Sequence, residues 1–152
     1  MTQRVNYADN IFFLNLILRQ VSSALKLSVD AELARDKVLE DIAFLDRAGT
    51  SVLGSLKANH LLIDRLDHLK ELAKFNRQFV ALLEDLAGGS LPGGTVLEGE
   101  REALERIRQA RLRELADIRE AISSRRLWTC SARAERAGDY FSPVSSSEDR
   151  RN

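Results

Sequence analysis

The sequence predicts an all-α fold, a helical bundle of about four helices. It is built on a long antiparallel helical hairpin, residues about 51–87 and 96–127, and ends in a flexible C-terminal tail. Apolar residues recur at three- and four-residue steps over most of the chain, which is the period of an amphipathic helix and not of a strand. Only two prolines occur in 152 residues, so long stretches are free of the residue that most strongly breaks a helix. The clearest break, AGGSLPGG at 87–94, lies between the two longest periodic stretches. A loop that short between long amphipathic helices favours a hairpin over a hinge.

The first helix is expected over about 7–27. Asn6 and Asp9 stand at capping-box spacing, with aspartate in place of the usual glutamate. Ile11, Leu14, Leu18, Val21 and Leu25 form its core stripe, and Phe12, Phe13, Leu16 and Ile17 widen that stripe almost to the full circumference. A helix apolar all round is expected to be central or covered on several sides. The run IFFLNLIL is too short to span a membrane, which takes about 20 apolar residues, and it lacks a signal-peptide cleavage site.

The second helix is expected over about 31–47, capped by Ser28 or Asp30, with Ala34, Val38, Ile42 and Leu45 inward and Phe44 beside them. Gly49 suits its C-terminal cap, and Thr50 or Ser51 the next N-cap. Continuation through Gly49 and Gly54 is the alternative, at roughly 1 kcal/mol per glycine relative to alanine.

The third helix, about 51–87, carries a heptad seam of Leu62, Leu66, Leu69, Ala73, Asn76, Val80, Leu83 and Ala87. Phe75, Phe79, Leu82 and Leu86 add a second stripe. The fourth begins near Thr95 or Leu97 and runs to about 127, or to 136 if Gly138 caps an extension. Glutamates 98, 100, 102 and 105 crowd its first turns and complement the positive end of the helix dipole. Residues 1–137 read as one helical domain and 138–152 as a polar, serine-rich tail of disordered composition.

Residues 72–87 carry more apolar side chains than one facing helix can cover. Either the first or second helix swings over them, or a second chain does, and a homodimer is the usual solution for a small protein. Asn76 would then fix the register of the seam, or lie solvated at its rim.

Little in the chain suggests chemistry. No phosphate loop, G-x-S-x-G or H-E-x-x-H is present, so no enzyme activity and no cofactor is expected. Basic and acidic residues number 23 each, which removes the overall field that draws in nucleic acid or anionic lipid. The arginines of RIRQARLR, 106–113, read as a solvated, ion-paired surface. One cysteine, Cys130, excludes an intrachain disulfide and fits a reducing, cytoplasmic setting.

The expectation is therefore a non-enzymatic interaction module: a helical adaptor, scaffold or chaperone-like assembly factor. It would present a coiled-coil-type groove to another protein's helix, as a homodimer and without membrane insertion. The partner-binding residues in that reading are Phe75, Phe79, Leu82, Leu83 and Leu86, with Tyr140 and Phe141 of the tail as an accessory anchor. The alternative is a metal-binding bundle, sensor or enzyme, using His60, Asp64 and His68. These follow four-residue steps, but one straight helix spreads them over ~12 Å, so a single ion would need ligands from elsewhere.

Overall fold

The computed structural model describes residues 6–26, 30–59 and 64–138. The described residues form four helices, α1 (Tyr7–Ala24), α2 (Ala31–Ala58), α3 (Arg65–Gly88) and α4 (Glu98–Gly138), with a two-stranded hairpin, β1 (Ser90–Leu91) and β2 (Gly94–Thr95), between the last two. The chain divides into two compact units, 1–118 and 119–152. The first holds α1 to α3, the hairpin and the first half of α4. In the second, the described residues continue α4 to Gly138.

Within 1–118 successive helices alternate in direction. The Tyr7 hydroxyl, on the first turn of α1, donates to the Ser55 carbonyl near the end of α2 (3.2 Å). Going from α3 to α4, Arg101 reaches the Ala87 carbonyl (2.7 Å), Arg108 reaches Glu84 (3.1 Å) and Arg111 reaches Asn76 (3.2 Å), which is an antiparallel register. α1 packs on both α2 and α3, and α2 packs on α3. The expected hairpin is thus present in α3 and α4, and AGGSLPGG is its tip.

That tip is a structured turn. Ser90 pairs with Thr95 and Leu91 with Gly94, leaving Pro92 and Gly93 at the centre. Gly93 has φ 90°, the positive value a type II turn needs after proline. Leu91 and Val96 are buried. Arg35 of α2 holds the turn from outside, donating to the Pro92 carbonyl (3.1 Å), the Thr95 carbonyl (3.0 Å) and Glu100 (2.9 Å).

The break between the second and third helices is not where the glycine pattern placed it. α2 runs on through Gly49 and Gly54 to Ala58, and α3 starts at Arg65 instead of about 51. Thr50 is not an N-cap: its hydroxyl donates to Glu114 of α4. Gly49 is not a C-cap but a gap in the face of α2. A Cβ there would lie 3.0 Å from Arg111 Nη1 and 3.3 Å from the Phe75 ring.

Arg111 is the second departure from expectation. The RIRQARLR pattern predicts a solvated basic surface, yet Arg111 is fully buried. All its donors are used: Nε to Asp46 (3.0 Å), Nη1 to Asn76 (3.2 Å) and Glu114 (3.2 Å), and Nη2 to Thr50 (2.6 Å) and Glu114 (2.6 Å). Asn76, which also donates to the Leu72 carbonyl (3.0 Å), is neither at a solvated rim nor between chains. It is buried inside one chain as an acceptor for that guanidinium.

A candidate docking face on the first helix

The five side chains expected to bind a partner are core. Phe75, Phe79, Leu82, Leu83 and Leu86 are all buried within the single chain. The stripe that α4 alone could not cover lies against α1 and against the first part of α2, which runs from Ala31 beside Gly93 to Gly49 beside Phe75. Tyr140 and Phe141 lie outside the described residues.

The uncovered apolar surface is on α1 instead. Asn6 caps this helix as its spacing predicted: its Oδ1 accepts from the Asp9 backbone N–H (3.1 Å), and its Nδ2 donates to Asp9 Oδ2 (2.8 Å). Tyr7, Ile11, Leu14, Leu18 and Val21 are buried against α2 and α3. The other side of the helix is open, contrary to the expectation that α1 would be covered on several sides. Phe12 is 61% exposed and Phe13 50%. Phe44 of α2, 39% exposed, meets Phe13 edge-on, with ring centroids 6.4 Å apart. Leu16 and Ile17 are half-buried.

Beside this ridge runs a groove of about 490 Å³ between α1 and α3. Phe12, Asn15, Arg19 and Ser22 form one wall, and Glu71, Lys74 and Gln78 the other. Among residues Tyr7–Ala24 only Asp9 and Arg19 are charged. The face is therefore apolar in the middle, with one acid towards its start and one base towards its end.

The metal reading finds two of its three residues described. His60 lies outside the described residues. Asp64 is exposed, and its Oδ2 is 3.9 Å from His68 Nε2. The His68 ring lies 5.6 Å from that of Tyr7. Its Nδ1 is buried and has no hydrogen-bond partner among the described residues. No group of three metal-ligand side chains occurs among the described residues.

The N-terminus of α4 is occupied by its own carboxylate. Glu100 accepts from the Leu97 N–H (2.9 Å), the glutamate half of a capping box, while it binds Arg35. The Arg35 hydrogen bond holds the Glu100 carboxyl below its ordinary pKa, against the opposing effect of burial, and the same bond raises Arg35.

The circumferential excess of phenylalanine in IFFLNLIL was the sequence signal for the open face. It pointed to a helix with two apolar sides, and the structure shows that only one of them is filled. Phe44 gave no such signal, since its position beside Phe13 depends on the register of α1 against α2. No described helix is long and apolar enough to cross a membrane. Scanned against models of protein families, against curated proteins and against solved structures, the chain matches none of them.

Proposed function

We propose that the protein is a non-enzymatic interaction module, a helical adaptor or assembly factor, whose docking surface is the outer face of α1. The observation that supports this most directly is the exposure of Phe12 and Phe13 on a helix whose opposite face is already packed. Two half-open phenylalanine rings present roughly 200 Å² of apolar surface. At ~25 cal/mol per Å², covering it favours association by about 5 kcal/mol before the entropy of association is subtracted. Aromatic side chains in a weakly charged patch are the composition of an interface core.

The groove along α1 and α3, beside the phenylalanine ridge, gives a second helix a place to lie, which favours another protein as the partner. The buried stripe of α3 serves this function indirectly, by fixing α1 on the bundle. A cytoplasmic setting is consistent with the lone cysteine and is proposed on that ground alone.

The test is site-specific photo-cross-linking in cells that produce the full chain. With p-benzoylphenylalanine at position 13, a discrete protein adduct is expected, and none with the same group at the exposed position 77 of α3. Absence of any adduct from position 13 would overturn the reading.

A further inference from the structure

We infer that the partner of this face is a second copy of the same chain, docked as an antiparallel α1–α1 pair about a two-fold axis that crosses the outer face at the level of residue 14. The inference rests on the proposed docking face and names its occupant.

Asp9, Phe12, Leu16, Arg19 and Ser23 follow alternating three- and four-residue steps, which is a heptad seam. At 3.6 residues per turn they fall within an arc of about 80°. They lie on the outer side of the helix, exposed except for the half-buried Leu16. In an antiparallel pair of identical helices, a two-fold axis beside residue 14 sets residue 12 opposite 16 and residue 9 opposite 19. Residues 9, 12, 16 and 19 of the seam exchange with one another under that operation. Phe12 of each copy meets Leu16 of the other, and Asp9 of each meets Arg19 of the other.

The two charged residues of Tyr7–Ala24 are thus placed at mutually complementary ends of one face. That is what an isologous interface requires, since the same patch must complement itself. Phe12 and Arg19 of the seam also border the groove between α1 and α3. Phe13 and Phe44 flank the seam on the α2 side.

An 18-residue helix offers a contact only about 27 Å long. This is the small end of stable interfaces, below roughly 1,200 Å² in total, so self-association in the micromolar range is expected.

The experiment is sedimentation velocity on the full chain over a concentration series, with two charge-reversal variants, Asp9→Arg and Arg19→Glu. Each variant alone sets like charges opposite each other at both ends of the seam and is expected to weaken the dimer about tenfold. Mixed in equal amounts, the two variants are complementary again, and the heterodimer is expected to form nearly as tightly as the parent dimer. Circular dichroism checks that both fold. Arg19→Glu leaves the N-cap untouched, and in Asp9→Arg the backbone bond to Asn6 Oδ1 remains available.

A chain that stays monomeric up to about 1 mM overturns the inference, because such a contact would be weaker than ~4 kcal/mol. A dimer indifferent to both reversals and to Phe12→Asp also overturns it, since that dimer uses another face. The cross-link from position 13 separates this failure from that of the docking face. An adduct of twice the chain mass supports both readings, an adduct with a different protein keeps the docking face and overturns self-association, and no adduct overturns both.

Discussion

Gly49 and Arg111 stand 62 positions apart in sequence and occupy one another's space. The guanidinium enters the interior where α2 lacks a side chain, and five hydrogen bonds hold it there. This explains why a glycine that local propensity reads as a stop lies in mid-helix: the backbone penalty of about 1 kcal/mol is offset by seating a buried charge. The two glycines of α2 are a matched test. Gly54→Ala adds a Cβ with nothing within 4 Å and should raise stability by about 0.5–1 kcal/mol. Gly49→Ala gains the same propensity but pushes on a side chain with no freedom to move. It should lower stability by about 1–2 kcal/mol net. Urea unfolding of both proteins checks the opposite signs. Arg111→Ala should be worse, by about 3 kcal/mol, since it opens a cavity and strips Asn76 and Asp46 of their shared donor. None of this was legible beforehand, because periodicity marks which face of a helix is apolar and says nothing of a cation threaded through a gap.

At the scale of elements, the sequence was a good guide where local chemistry decides and a poor one where tertiary contacts do. The Asn6 cap of α1, the 87–94 turn and the acidic start of α4 follow from side-chain-to-backbone bonds within a few residues, and all are present. The α2–α3 boundary was misplaced because Gly49, Thr50 and Ser51 resemble a stop and restart. The actual connection starts at Asn59, whose Nδ2 donates to the Ser55 carbonyl (2.9 Å) and the Tyr7 hydroxyl (2.6 Å). The turn between α3 and α4 is braced by Arg35, which pairs with Glu100, and that pair makes it sensitive to pH. Glu100 has a lowered pKa in the folded chain, chiefly through the Arg35 hydrogen bond. A carboxylate depressed by folding contributes stability that is fully present above its unfolded pKa, near 4.5, and is lost as pH falls through the folded value. Arg35 stays charged throughout. The difference in melting temperature between the parent chain and Glu100→Gln should therefore be constant above about pH 5.5 and shrink steadily below 4.5. A difference that grows on acidification would show that Glu100 is not stabilised by Arg35.

At the scale of the whole bundle, the surplus of apolar side chains was visible in the sequence, but its location was not. Residues 72–87 and the first helix both carry more than one apolar face, and composition cannot say which is covered. α1 and the first part of α2 cover the former and leave the outer side of α1 open, which turns Phe79 and Phe13 into opposites. Phe79 is fully buried beside Phe75, with ring centroids 5.6 Å apart. Phe79→Ala should cost about 3–5 kcal/mol at every protein concentration, the penalty of a large core cavity. Phe13→Ala removes a half-exposed ring and should change the stability of the isolated chain by no more than about 0.5 kcal/mol. If a second copy covers that ring, the parent melting temperature rises with protein concentration by mass action, and Phe13→Ala flattens the rise. Melting curves taken across two decades of concentration therefore distinguish the roles of the two phenylalanines. A parent curve that does not move with concentration would leave Phe13 uncovered in solution and require a different protein to cover it.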